Sequence, residues 1–468
     1  MGALLVLLAA SLVADAPLAD AAERADRAAV RAWLDRKLDA DQAQPDGMTA
    51  LMWAARHDDP EMAKLLLAAG ADAKRANRFG VTPLALACTN GGGAMVTLLL
   101  DAGADPNGPL RGGETPLMTA ARTGRIGPVR ALIGRGATVD AREHRGQTAL
   151  MWAAAEGHAE VVSELIRAGA DFRTPLPSGF TPLLFAAREG RIDVARALIG
   201  AGADVNEATE ARPANGKAPA KGSTPLILAI ENGHFDLAVV LLDAGADPND
   251  QRSGFTPLHT LTWVRKPNRG DGDDGEPPPA GSGTMTSLQF AEALLDHGAD
   301  VNARLTRDPS DRKILNRTGA TPFLLASMTA DVPLMRTLHK RGADPRLANA
   351  DGSTPLMAAA GLGSLAPGEE AGTEPEALEA VALALELGND PNAVDRNGET
   401  AMHGAAYKNF PRVVRFLADH GAKPEAWDHA NKHGWTPLRI AEGYRPGNFK
   451  PSPDTVAALR AVLPPRAP

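Results

Sequence analysis

Eleven times along the chain a threonine opens a short apolar run, a turn interrupts it, and a second apolar run ends in glycine. The threonines are Thr49, Thr82, Thr115, Thr148, Thr181, Thr224, Thr256, Thr321, Thr354, Thr400 and Thr436. First runs read TPLMTAA from Thr115, TALMWAA from Thr148, TPLLFAA from Thr181 and TPLILAI from Thr224. The turns of these copies carry Gly124, Gly157, Gly190 and Gly233, and second runs such as Val161-Val162 to Leu165-Ile166 close on Gly-Ala-Asp or a relative. Each run has helix-period apolar positions and is too short to be stable alone. Thr before Pro suits a helix N-cap followed by an N1 proline, whose missing N–H costs nothing there. Glycine after the second run suits a left-handed C′ residue. A polar stretch then ends in glycine two residues before the next threonine, at Gly80, Gly113, Gly146 and Gly179, which is turn chemistry. The pattern predicts an all-α chain of short antiparallel helix pairs joined by β-hairpin-like loops.

The first four threonine gaps are 33 residues each; later gaps are 43, 32, 65, 33, 46 and 36. A fixed period with additions is a stack of one small unit with loop insertions, each unit burying its apolar face against its neighbours. The repeat resembles the ankyrin-repeat family from roughly Pro17 to Leu463. The fullest copy runs from Gly146 to Gly179 and contains GQTALMWAAAEGHAEVVSELIRAGADF, with Gly157-His158-x-Glu160-Val161-Val162 at the inter-helix turn. The resemblance implies a solenoid of about 12 helix–turn–helix units. A degenerate capping repeat is expected at 17–47, repeats at 48–435, a C-terminal capping repeat at 436–463 and a tail at 464–468. The final helix is expected to start at Ser452-Pro453. One departure is plain. The family usually carries His after Thr-Pro-Leu, and here only His259 and His403 do, so the other junctions should rely on apolar contact.

Composition changes this picture little. Apolar residues make up 44% and aromatics only 4%, so the core must come from Ala, Leu, Val and Met. A net charge of -8 argues against a general affinity for nucleic acid. The single cysteine, Cys88, excludes an intrachain disulfide and a multi-cysteine zinc site. Residues 1–16 resemble a secretory signal peptide: Gly2 to Val13 are almost wholly apolar and Ala14-Asp15-Ala16 has small-x-small form, although no Lys or Arg precedes the run. This predicts a periplasmic or secreted protein, cytoplasmic if the run is no signal, with no integral membrane segment in the mature chain. The Ala/Arg/Gly-rich composition points to a bacterial source.

Insertions are expected near 207–222, 265–283, 305–318 and 361–375. The stretch RKPNRGDGDDGEPPPAGSG from Arg265 begins basic, turns acidic and ends Pro/Gly-rich, as a mobile loop does. Candidate chemistry is sparse. Gly361-Leu362-Gly363-Ser364-Leu365-Ala366 matches a dinucleotide fingerprint but lacks the preceding strand. Asp271, Asp273 and Asp274 lack the ligand order of a calcium loop, and Arg269-Gly270-Asp271 is an adhesion tripeptide that chance supplies easily. His420, His429 and His433 lack the Glu of a helical zinc protease and fall in or near a hairpin. Cys88 replaces a core alanine and should be a buried inert thiol.

Binding residues are better marked. Partners of this family usually engage the hairpin tips and the exposed end of the first helix. Two positions ahead of the hairpin glycine stand Arg78, Arg111, His144, Arg252, Arg317, Arg396 and Lys432, a column suited to an acidic partner. Phe180, Phe255 and Trp435 follow the hairpin glycine, and Tyr407 and Tyr444 follow the alanine positions of their first helices, with Trp263 at the equivalent place in a variant repeat; as exposed rings they would be anchors. Trp53 and Trp152 occupy inward positions and are expected in the core. The reading is a monomeric, non-enzymatic scaffold with no cofactor, metal or catalytic residue, binding a protein through a concave face and hairpin tips. The alternatives are a metal- or small-ligand-binding repeat protein and a structural repeat accessory to an exported enzyme system.

Overall fold

In the computed structural model, which describes residues 16–210, 221–266, 278–307, 315–365, 367–368, 370–444 and 451–464, each of the eleven threonines caps a helix. Every hydroxyl accepts the backbone N–H three residues on, at 3.2–3.4 Å. Each such cap contributes about 1 kcal/mol. A helix of five to nine residues follows, a turn reverses the chain, and a second helix returns antiparallel.

The helix pairs run in chain order: Pro17–Glu23 with Arg27–Asp35, Ala50–Arg56 with Pro60–Ala68, Pro83–Asn90 with Gly93–Asp101. Next come Pro116–Thr123 with Ile126–Gly134, Ala149–Glu156 with Ala159–Arg167, Pro182–Arg188 with Ile192–Gly200. Then follow Pro225–Glu231 with Phe235–Asp243, Pro257–Arg265 with Ser287–Asp296, Pro322–Met328 with Val332–Lys340. The last are Pro355–Ala360 with Glu374–Glu386, Ala401–Lys408 with Pro411–Asp419, and Pro437–Ala441 with Pro453–Val462, plus a single turn at Pro424–Trp427. The architecture is an all-helical repeat solenoid. Among the described residues the connecting hairpins hold turns and no strand, and no helix is long and apolar enough to cross a membrane. Residues 1–15, which carry most of the signal-like segment, lie outside the described residues.

The chain divides into two compact units, one of Met1–Ala186 and Asp193–Ala203, the other of Ala187–Ile192 and Asp204–Pro468. In the first, Leu51, Leu84, Leu117 and Leu150 are buried beside Met62, Met95, Val129 and Val162. In the second, Leu226, Leu258, Phe323, Leu356 and Met402 do the same. Small side chains let helices approach closely. At Gly404 an added Cβ would lie 2.8 Å from the Leu362 nitrogen and 3.0 Å from the Met357 carbonyl oxygen, both backbone. Ala is the better helix former by about 1 kcal/mol, but overpacking two backbones costs about 1–3 kcal/mol. Gly404→Ala is therefore expected to destabilise, seen as faster amide exchange in Pro355–Ala360 and Ala401–Lys408; slower exchange would refute it.

Where the imidazole after Thr-Pro-Leu is missing, methionine takes part of its place. The Thr115 and Thr354 amides donate to the sulfurs of Met118 and Met357 at 3.4 Å. His259, buried and held to about 4 by desolvation, accepts the Thr256 amide on Nδ1 and donates from Nε2 to the Ala320 carbonyl, 3.1 Å.

A second ladder links the repeats more widely. Five residues of the Gly-x-Asp-x-Asn turn, Asn107, Asn206, Asn249, Asn302 and Asn392, reach one repeat on. Each amide donates to the carbonyl of the next terminal glycine, at 2.8–3.2 Å, and accepts the N–H two residues beyond it, at 2.7–2.8 Å. Asn107→Ala deletes both bonds to Gly136 and Thr138. It is expected to cost about 1–2 kcal/mol, read as faster exchange of the Thr138 amide with distant repeats unchanged.

The inserted segments leave the stack closed at their bases. Thr209 and Ser223 pair across 207–222, and Leu305 and Ala320 across 305–318, by backbone bonds of 3.0 and 2.9 Å. The described limbs of 265–283 are also tied. Arg265 forms a bidentate pair with Asp331, Lys266 binds Glu376 at 2.6 Å, and the Ser282 amide donates to Nδ1 of His234 at 2.9 Å. In 361–375, the Lys408 ammonium donates to the Glu370 and Ala371 carbonyls.

Candidate functional site

The hairpin tips touch through their backbones at the position of the basic column. The N–H groups of Arg78, His144, Arg396 and Lys432 donate to the carbonyls of Asp46, Gly112, Asp351 and Asn397 on the preceding tip, at 2.8–3.2 Å. The position is thus a structural rung whose side chain is left to point outward. Arg78, Arg111, His144, Arg252, Arg396 and Lys432 are exposed, and Arg317 is half-buried. Arg111 also donates from Nη2 to the Arg78 carbonyl, 2.8 Å. Arg252 pairs with Asp250, and the Lys432 ammonium reaches Asn397 at 2.9 Å.

The aromatic expectations divide. Phe180, Phe255 and Tyr407 are 3%, 4% and 1% exposed, so their rings are not surface anchors. Phe180 packs on Phe185, Phe255 meets Trp263 edge-on at 5.1 Å, and the Tyr407 hydroxyl donates to Glu399. The residue after the hairpin glycine turns back over its own first helix, which is why the Phe180 and Phe255 rings are covered. Trp263 and Trp435 are half-buried, the latter stacked on His433 at 4.8 Å. Tyr444 is 54% exposed, with the Arg439 guanidinium over its face. Trp53 and Trp152 depart from the expected core: both are half-buried, with Arg56 and Arg122 over their rings at 5.4 and 5.0 Å.

One surface ring escaped sequence reasoning. Phe79 is 62% exposed at a hairpin tip. Its signal was present, because no other repeat places Phe, Tyr or Trp directly before the hairpin glycine.

The remaining candidates resolve into structural tasks. His420 stacks on Phe416 at 3.9 Å, His429 bonds the Gly398 carbonyl, and His433 stacks on Trp435. Among the described residues no three His, Cys, Asp or Glu side chains are grouped to hold a metal. Cys88 is buried, and desolvation pushes its thiol up to about 12. Gly361 ends the helix Pro355–Ala360 with φ 111°, so a helix and not a strand precedes the Gly361–Ala366 motif, whose Ala366 lies outside the described residues. Asp271, Asp273, Asp274 and Arg269-Gly270-Asp271 also lie outside them. One buried polar cluster stands out: Glu399 Oε1 accepts from the Tyr407 hydroxyl at 3.1 Å and from Asn431 at 2.8 Å, while its Oε2 has no partner.

A family model of three ankyrin repeats matches residues 18–109, 61–143, 117–209 and 371–450, and a single-repeat model matches 221–252. Among curated proteins, the chain is 35% identical over 140 residues to an ankyrin repeat, SAM and basic leucine zipper domain-containing protein 1 of Dasypus novemcinctus. That match covers 30% of this chain and 25% of the relative. It is 44% identical over 54 residues to the glycerophosphocholine phosphodiesterase gde1 of Schizosaccharomyces pombe, covering 12% of this chain and 5% of that one. The chain thus spans a quarter or less of the curated relatives it matches. Among solved structures, the human ASB11 ankyrin repeat domain is 25% identical with a TM-score of 0.43, over 50% of this chain and 100% of that one. With the repeat matched over more than half its length, and with a capping threonine, helix pair and hairpin in copy after copy, the chain belongs to the ankyrin-repeat family.

Proposed function

We propose that this protein is a non-enzymatic interaction scaffold that binds a protein partner through its hairpin tips and the open sides of its first helices. Ankyrin repeats are in general protein-interaction modules without catalytic activity. The observation that carries the reading is the hairpin edge: exposed basic side chains stand on tips cross-linked by backbone hydrogen bonds. A surface built this way meets a partner with little ordering cost, so more of the contact energy appears as affinity. The protein acts as a monomer, and the apolar run from Gly2 to Val13 supports export.

The test is recovery of partners on a C-terminally tagged chain, beside a chain lacking residues 267–277. A protein recovered stoichiometrically with the intact chain, and re-forming the complex from purified parts, supports the scaffold. Its loss with the deletion assigns the binding to that loop, and its retention assigns it to tips and helix faces. Purified chain carrying a small molecule and no protein would overturn the reading.

A further inference from the structure

Four arginines on the hairpin tips of the first unit carry no ion pair among the described residues. Arg75, Arg78, Arg111 and Arg145 are exposed. The ion pairs of this unit lie elsewhere: Arg27 with Asp59, Lys64 with Glu61, Arg122 with Glu114, Arg130 with Glu164 and Arg135 with Asp101. Among the described residues none reaches the four tip arginines. Glu114 accepts from the Thr119 hydroxyl and pairs with Arg122, and the other carboxylates near them in sequence accept backbone N–H groups. Asp72 accepts the Lys74 amide, Asp105 that of Asn107, Asp140 that of Asp171, and Glu143 those of Arg145 and Gln147. These acids shape the turns, and the arginines are left to face outward.

Phe79 stands in the middle of this charge. Its own amide donates to Asn77 Oδ1 at 3.0 Å, the turn is closed by Asn77 to Val81 at 3.0 Å, and Arg78 is bonded to Asp46 at 3.1 Å. Arg111 is drawn onto the same tip through the Arg78 carbonyl. The result is an exposed apolar ring on a hydrogen-bonded turn that also carries Arg75 and Arg78 and is met by Arg111 from the next hairpin. In the second unit Arg252 is engaged by Asp250 and Lys432 by Asn397, while Arg396 is exposed.

We infer that this edge, from Arg75 to Arg145, binds an acidic, extended polypeptide segment bearing an apolar side chain that packs on Phe79. The inference rests on the scaffold reading above and specifies its partner. Guanidinium groups pair with carboxylates in forked, charge-assisted hydrogen bonds, and a protruding aromatic among arginines has the composition of an interface hot spot. The repeat geometry sets the spacing. Neighbouring helices pack about 8–10 Å apart and an extended chain rises about 3.3 Å per residue, so a carboxylate at every third position advances one hairpin. A long nucleic-acid polyanion is disfavoured by the net charge of -8.

The experiment is fluorescence anisotropy on the full chain. The probe is a labelled peptide of about 15 residues with Glu at every third position and one central Leu. Controls are the same peptide with Gln for Glu, the peptide with Ser for Leu, and single-stranded DNA of similar length. The Glu peptide is expected to bind at least about tenfold more tightly than the Gln peptide. The triple variant Arg75→Ser, Arg78→Ser, Arg111→Ser is expected to weaken it about tenfold, with an unchanged thermal melt because these side chains are exposed. Phe79→Ser should weaken the Leu peptide about threefold and leave the Ser peptide unaffected. Equal binding of Glu and Gln peptides, indifference to the triple substitution, or DNA binding tighter than the Glu peptide would overturn the inference. A partner recovered as above and still held by the triple variant would sink the acidic-segment inference alone and leave the scaffold standing.

Discussion

Asp331→Ala lowers the stability of the second unit by about 3–5 kcal/mol, the cost of stranding one member of a buried ion pair. The carboxylate is 5% exposed and Arg265 is 11% exposed. Asp331 accepts from Arg265 Nε at 2.8 Å and from Nη2 at 3.0 Å, and also from the Leu334 amide at 3.2 Å as the N-cap of Val332–Lys340. Arg265 further donates to Ser287 Oγ. Removing the carboxylate therefore leaves a buried guanidinium with one neutral partner and deletes a helix cap. By contrast the pair of Lys64 and Glu61, 58% and 62% exposed, contributes about 0–1 kcal/mol. The double variant Arg265→Met, Asp331→Asn removes both charges and keeps a cap acceptor, so it should recover most of the loss. Because repeat arrays unfold by nearest neighbours, the measurement is amide exchange in Pro257–Arg265 and Val332–Lys340. The idea fails if Asp331→Ala costs no more than a surface pair, or if the double variant is the less stable.

What could be read from sequence follows from the range of the interactions. The threonine caps and left-handed glycines need only three or four consecutive residues, so Thr-Pro-Leu and Gly-Ala-Asp were legible wherever they occurred. The asparagine ladder was visible as a recurring Asn, but its partners sit one repeat away, as Gly298 does for Asn249. Arg265 and Lys266 read as the basic start of a loose loop. They hold Asp331 and Glu376, 66 and 110 residues on, contacts that no local pattern encodes. The rings failed for a geometric reason. A shift of one position around a short helix moves a side chain between solvent and the packed side, which is why Tyr407 is covered and Trp53 and Trp152 are only half-buried. The basic column was found, and the division between its free and its paired members was not, because Arg252 differs from Arg78 only in having Asp250 within reach.

Glu399 makes the last repeats less stable as pH rises, and Glu399→Gln removes that dependence. The side chain is 4% exposed, and desolvation raises its carboxyl from an ordinary 4.5 to about 7, assisted by Asp395 and opposed by hydrogen bonds from Tyr407 and Asn431 and by the charge of Lys432. A raised folded value means the folded chain keeps a proton that the unfolded chain has released. Below about pH 4.5 both states hold it and stability is at its fullest. Between about 4.5 and 7 the folded state alone holds it, so stability falls by about 1.4 kcal/mol per pH unit. Above about 7 the decline ends with on the order of 3 kcal/mol lost. The buried Oε2 without a donor fits this desolvation, since an ionised carboxylate there has one oxygen with no protein hydrogen bond. Glutamine keeps an oxygen for Tyr407 and Asn431 and cannot ionise. The stability difference between variant and wild type should therefore swing toward the variant by about 3 kcal/mol between pH 5 and 8, read by amide exchange in Ala401–Lys408 and Pro437–Ala441. Taking the difference cancels every other titrating group. Parallel pH profiles for the two proteins would mean that Glu399 stays ionised in the folded chain and that the cluster has drawn in a donor for Oε2.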